Sequence, residues 1–290
     1  MIEQDFLRRF LFDELGVRGE WVQLTQSWQE AVTHQQGPDT ARHLLGQALA
    51  AVAMLSATIK FNGSMIMQVQ GNGAIKTLVA QASHDRKIRG LVRSTQADID
   101  TRSLATMFGT GQLVLTIEQS HGDPYQGIVG LEGKNLATAL ENYFMQSEQL
   151  KTRLWLFANE TTAAGLLLQE LPGQAHSEED WERVTILADT LTETELLTLD
   201  CESLLYRLFH QEKVRLFSAE PIRFECACSR EKIERTLHML GRPELTGILK
   251  ERSQIEVICE FCGQRYEFDR IDIETLLGGR SVSDYPRTLH

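Results

Sequence analysis

Four of the five cysteines fall in two close pairs, Cys226 with Cys228 and Cys259 with Cys262, separated by thirty intervening residues. Thiolates are soft donors, and tetrahedral zinc takes four of them at about 2.3 Å, which brings the sulfurs within roughly 4 Å of one another. An extended backbone points residues i and i+2 to the same side, so Cys226 and Cys228 can act as one two-sulfur arm. Across Cys259, Glu260, Phe261 and Cys262 a tight turn aims both sulfurs inward, and Gly263 lets the chain curl behind them. The pattern predicts one Zn2+ ion held by Cys226, Cys228, Cys259 and Cys262 in the reduced protein. Iron–sulfur binding suits these spacings less well.

A four-thiolate site can be scaffold or sensor, and spacing alone leaves both open. Arg223, Arg230, Lys232 and Arg265 flank the cysteines, which favours thiolate and hence reactivity toward oxidants. Each pair is also close enough in sequence to form a local disulfide, Cys226–Cys228 and Cys259–Cys262, once the ion is gone. A ring closed across one residue is strained and readily reduced. The fifth cysteine, Cys201, reads as a small, partly buried apolar residue.

The elements that must position these sulfurs are short. Ser229 can cap a helix with Ile233, Leu237 and Leu240 on one face, closed by Gly241 and Pro243. A short helix with Leu245, Ile248 and Leu249 follows. Ile255 and Val257 alternate into Cys259, Tyr266 and Phe268 alternate away from Cys262, and Asp269 caps a last helix carrying Ile273, Leu276 and Leu277. So few apolar side chains need a staple. Binding a structural zinc is worth about 10–16 kcal/mol in small zinc peptides, comparable with a whole domain's stability.

Upstream, residues 178–202 carry nine acidic residues against one basic, Arg183. Trp181, Val184, Leu187 and Leu191 recur at helical spacing, as do Leu204, Leu205 and Leu208, so the segment reads as amphipathic helices whose charges repel when undocked. Residues 1–175 alternate strand-like and helix-like patterns. Strands are expected at 17–24, 65–69, 75–80, 88–92, 113–117, 125–131 and 153–157, punctuated by glycines. Residues 39–60 form the longest helical candidate. Its middle, 44–55, is apolar on nearly every face, broken only by Gly46 and Gln47, so it is expected buried between sheets. A second helix is expected at 136–145. The resulting architecture is α+β: an N-terminal domain at 1–177, an acidic helical linker at 178–222 and a small zinc-binding domain at 223–290.

Composition narrows the function. The net charge of −11 repels phosphate backbones, and no aromatic–basic stripe offsets it, so no nucleic-acid partner is expected. No apolar run is long enough to span a bilayer, and the N-terminus lacks the plan of a secretory signal, so a cytoplasmic protein without a membrane partner is expected. Gln70 to Gly73 and Gly109 to Gly111 are too short for phosphate loops and read as turns. His84 with Asp85, and His121 near Asp123, read as loop residues, and His238 as a surface residue. No catalytic constellation emerges, and a zinc-bound Cys259-x-x-Cys262 is not a free oxidoreductase nucleophile. The chain is therefore not expected to be an enzyme.

Cys226-x-Cys228 followed by Cys259-x-x-Cys262 resembles the signature of the 33 kDa redox-regulated heat-shock chaperone family, bacterial cytoplasmic holdases. Matching stretches run along the whole chain: Val17 to Gly19, Lys60 and Phe61 with Gly63, Gln70 to Gly73, Tyr125–Leu131, Leu140 to Phe144, Ser147 to Leu150, and Leu167 to Gln169. Lys151 stands where proline is expected, and Gly165 where a glycine pair is expected. The resemblance implies a three-layer β/α/β N-terminal domain with a buried helix, a helical linker and a zinc redox switch. It further implies that oxidation converts the cysteines to two disulfides with zinc release, that switch and linker then unfold, and that an oxidised homodimer captures unfolding client proteins without ATP.

Overall fold

The computed structural model describes residues 5–96, 98–120, 122–131, 133–171 and 178–278. The chain divides into two compact units, Met1–Glu225 and Cys226–His290.

In the first unit, β1 (Phe6–Phe12) and β2 (Val17–Leu24) lead into α1 (Gln26–Val32) and the long α2 (Asp39–Thr58). There follow β3 (Gly63–Gly71), β4 (Ile75–Ser83), β5 (Lys87–Ser94), α3 (Leu104–Phe108), β6 (Gly111–Gln119), β7 (Tyr125–Gly130) and α4 (Leu136–Tyr143). After α4 the chain makes a π-helical turn, Phe144–Glu148, which leaves Met145 exposed. Next come β8 (Thr152–Ala158), β9 (Ala163–Glu170), α5 (Glu178–Ala188), α6 (Glu193–Thr198) and α7 (Cys201–Phe209), and then the short strands β10 (Val214–Leu216), β11 (Glu220–Pro221) and β12 (Arg223–Phe224).

These strands form two six-stranded sheets. The first runs β10-β1-β2-β9-β8 with β11 also on β1, and the second runs β12-β5-β4-β3-β6-β7. Helix α2 packs on β3, β4 and β5 of one sheet and on β2, β8 and β9 of the other. Its Leu45, Leu49, Val52 and Met54 have no solvent exposure. The all-round apolar stretch is thus the middle layer of a β/α/β sandwich, as a helix without a polar face requires. It ends at Thr58, two residues earlier than its sequence pattern, and Ile59 is already extended.

Helices α5, α6 and α7 form a further layer on the outer face of the first sheet. Trp181, Val184, Ala188, Leu196, Cys201, Leu204, Leu208 and Phe209 pack with Phe10, Phe12, Val17, Trp21, Leu166 and Leu168. The strands β2 and β9 are consequently buried on both faces. The acidic charge is partly matched by basic side chains: Arg183 pairs with Asp180 and Glu212, Arg207 with Glu195, and Arg153 with Asp189. Lys151, the residue standing in a proline position, pairs with Glu178 at the first turn of α5. Beyond α7, β10 and β11 bind one sheet and β12 the other, so residues 214–224 tie the two sheets together.

The second unit contains α8 (Arg230–Glu251), β13 (Ile255–Ile258), β14 (Arg265–Phe268) and α9 (Arg270–Gly278), with β13 and β14 paired as a hairpin. Its buried core is small: Leu237, Leu245, Leu249, Ile255, Phe268 and Ile273. Gly241, at φ 80°, breaks α8 into two helical pieces. Leu240, expected on the packed face, lies just before that break and is half exposed to solvent. Among the described residues, no helix is long and apolar enough to cross a membrane.

Candidate metal centre

Two local structures bring the sulfurs together. Cys226, Ala227 and Cys228 lie in irregular backbone directly before α8, and the Ser229 side chain accepts from the Lys232 amide to start that helix. The second arm is the turn between β13 and β14. There the Gly263 amide donates to Cys259 O at 2.7 Å, and the Cys259 amide donates to Gln264 O at 2.9 Å. Gly263 holds φ 70°, the left-handed conformation that closes this turn at no Cβ cost. At the other end of β14, Asp269 and Asp272 exchange side-chain to backbone hydrogen bonds that cap α9.

The four Sγ atoms of Cys226, Cys228, Cys259 and Cys262 all lie within 4.8 Å of one another. Cys226 Sγ is 3.6 Å from Cys259 Sγ, and Cys228 Sγ is 3.4 Å from Cys262 Sγ, so the arms interlock. Cys259 is buried and the other three are half-buried. A tetrahedron of sulfurs about 2.3 Å from one ion has edges near 3.8 Å, so this donor set fits a four-thiolate ion. The four cysteines are positioned to hold a metal ion.

Electrostatics distinguish the sulfurs. Burial raises the Cys226 thiol above its ordinary range, and the backbone amide of Cys228 opposes that shift. Burial likewise raises Cys262, opposed by the amide of Gln264. For Cys228 burial also pushes upward, but the Tyr266 hydroxyl and the neighbouring sulfurs outweigh it and leave the thiol below its ordinary value. Tyr266 Oη donates to Cys228 Sγ at 3.2 Å.

The flanking cations are engaged elsewhere. Arg230 pairs with Glu234 and Asp272, donates to Glu267 O and lies 4.3 Å over the Phe268 ring. Lys232 donates to Ala227 O, Arg265 pairs with Glu256, and Arg223 pairs with Glu225. The hydroxyl of Tyr266 is the side-chain donor that sequence reading missed; the alternation of Tyr266 with Phe268 marks it as a strand residue and gives no sign of where its oxygen ends.

The remaining candidates are not members of the sulfur cluster. Cys201 is fully buried at the start of α7. His84 and Asp85 occupy the turn between β4 and β5, where Asp85 accepts from Ser83. Asn72 Oδ1 accepts from the Thr110 amide, joining the two glycine-rich turns to each other. His238 is half-buried on α8, and His121 lies outside the described residues.

Comparison with known proteins gives a consistent result. The sequence profile described as Hsp33 protein matches residues 5–269. The 33 kDa chaperonin of Nitrosococcus oceani is 52% identical over 290 residues, covering 100% of both chains. Those of Pseudomonas aeruginosa and a Shewanella species are each 43% identical, over 297 and 286 residues, covering 100% and 99% of this chain and 100% of their own. Among solved structures, the 33 kDa chaperonin of Thermotoga maritima superposes with a TM-score of 0.81 at 24% identity, over 94% of this chain and 98% of that one. That likeness establishes the fold.

Proposed function

The chain belongs to the Hsp33 family of chaperones, and from that premise we propose that it is a redox-regulated, ATP-independent holdase rather than an enzyme. The supporting observation is a covered apolar face: α5, α6 and α7 bury Phe12, Trp21 and Leu166 on the outside of the first sheet. The same chain then runs directly into a unit with a small core and four clustered sulfurs.

In this reading residues 1–177 are the chaperone core, 178–222 the releasable linker and 223–290 the switch. Cys226, Cys228, Cys259 and Cys262 hold one Zn2+ in the reduced protein. The ion supplies the cross-link between the two arms. Peroxide takes two electrons from each pair of thiolates and, with two protons from solvent, is reduced to two molecules of water as a disulfide forms; the pairs are Cys226–Cys228 and Cys259–Cys262. Sulfurs joined in disulfides no longer serve as thiolate donors, so the second unit loses its staple. Undocking of the acidic helices, aided by charge repulsion, exposes apolar surface that captures unfolding proteins. The cytoplasm is the compartment where such thiols stay reduced until stress, and the oxidised protein acts as a homodimer, without nucleic acid or membrane as partner.

The test is peroxide treatment at raised temperature, with zinc release, thiol loss and suppression of client aggregation followed together. All three should rise in step. Zinc loss without anti-aggregation activity would refute the holdase reading, and equal activity in reduced protein would refute the switch.

A further inference from the structure

The Tyr266 side chain places a hydroxyl against one of the four sulfurs. Its oxygen lies 3.2 Å from Cys228 Sγ. Its strand, β14, leaves the Cys259–Cys262 turn directly, and within the hairpin Tyr266 is paired in register with Val257. The ring itself packs against the small core that includes Leu237, Ile255 and Phe268. The hydroxyl is therefore delivered by the arm that carries Cys259 and Cys262 to a sulfur of the opposite arm. Cys226 and Cys262 take backbone donors, the amides of Cys228 and Gln264, which no side-chain replacement removes. Cys228 takes a donor that one substitution deletes.

The geometry points to Tyr266 as a positioning residue that moderates the reactivity of Cys228 toward peroxide through an O–H···S hydrogen bond. The inference rests on the metal-thiolate reading of the site. Metal-bound sulfurs are already deprotonated, so a hydrogen bond cannot act by changing the thiolate fraction. It acts on the sulfur lone pair, drawing charge toward the donor and lowering nucleophilicity. In the step affected, Cys228 sulfur attacks one peroxide oxygen, the O–O bond breaks, hydroxide leaves and a sulfenic acid forms. A second cysteine sulfur then attacks that sulfur, the S–O bond breaks, hydroxide leaves and a disulfide remains. The oxidant is hydrogen peroxide, which is reduced by two electrons. The hydroxyl slows the first attack at one sulfur and so helps set the oxidant threshold of the whole switch.

Tyr266→Phe keeps the ring and deletes the donor. In the full-length protein loaded with cobalt(II), the sulfur-to-metal charge-transfer band should move to longer wavelength, because an unbonded thiolate gives up charge more readily. In zinc-loaded protein, site-resolved alkylation after peroxide pulses should show Cys228 oxidised roughly three- to tenfold faster, as expected for loss of one charge-assisted hydrogen bond. Ile233→Ala, which loosens the same core and removes no side-chain hydrogen-bond donor, serves as the packing control. It should leave the band in place and affect all four cysteines alike. An unmoved band and an unchanged Cys228 rate in Tyr266→Phe would overturn the inference, as would a pattern identical to that of Ile233→Ala. If the unmodified protein shows no thiolate–cobalt band, the metal reading itself fails and this inference falls with it.

Discussion

The ring of Phe209, at the end of α7, meets Phe12 of β1 edge-on, with centroids 5.0 Å apart and planes at 87°. Both side chains are almost fully buried. The pair fastens α7 to the outer face of the first sheet, and an edge-to-face contact adds to what burial alone contributes. Phe209→Ala should weaken docking by about 3–5 kcal/mol, the usual range for deleting a buried aromatic ring. The reduced variant is then expected to show partial anti-aggregation activity and faster proteolysis within 178–209. A reduced variant as silent and as resistant as the parent would show that this layer is not what covers the client surface.

Metal dependence should be confined to the second unit. Its core comprises Leu237, Leu245, Leu249, Ile255, Phe268 and Ile273, too little to hold this many residues without a cross-link. Under reducing conditions a zinc chelator, or Cys259→Ser, should abolish amide-exchange protection across 230–278 while α2 stays protected. Unchanged exchange in β13 and β14 after chelation would remove the metal from the folding of that unit.

A buried carboxylate predicts the pH dependence of the first unit. Glu20 on β2 is 2% exposed, and no hydrogen-bond partner reaches its Oε2. Burial pushes its pKa up to about 8, opposed by the charges of Arg18, Arg86 and Arg9 and reinforced by Glu220. The unfolded chain ionises this group near 4.5, so between the two values the folded state holds the extra proton. Its contribution to stability is complete below pH 4.5 and is lost as pH rises through about 8. The slope approaches about 1.4 kcal/mol per pH unit within that window. Denaturant melts of the parent and Glu20→Gln across pH 5–8 should diverge by that slope; parallel curves would show that Glu20 is ionised in the fold.

Gly46 is a packing requirement of α2. A Cβ there would lie 2.7 Å from Ala158 Cβ and 3.1 Å from Ala163 Cβ, on the strands flanking the β8–β9 turn. Gly46→Val should cost at least about 1–3 kcal/mol by overpacking, read as a lower denaturation midpoint of the first unit with the metal centre intact. A midpoint equal to the parent's would mean that helix and sheet separate at little cost.

Much of this was legible in residue order. The burial of α2 followed from a stretch with no polar face, and most strands of the second sheet followed from alternation and glycine turns. β9 was not legible, because Ala163, Ala164, Leu166, Leu167 and Leu168 are buried on both sides of the sheet and a strand covered on both faces has no alternation to read. β1 was also missed, and the short strands β10, β11 and β12 carry too few residues for any period.

The sequence by itself determined the donor set: four cysteines in two arms offer soft sulfur donors positioned to hold a metal ion, because ligand type and local spacing are chain properties. It also determined that residues 178–209 are amphipathic helices needing an apolar partner. Only the tertiary structure decided which surface that partner is, the outer face of β1, β2 and β9, since a helix stripe does not name what it packs against. Tertiary structure also decided that Tyr266 donates to Cys228 while Arg230, Lys232 and Arg265 engage carboxylates, carbonyls and a ring. A hydrogen bond between residues thirty-eight positions apart depends on strand register and turn geometry, and neither is written in local residue order.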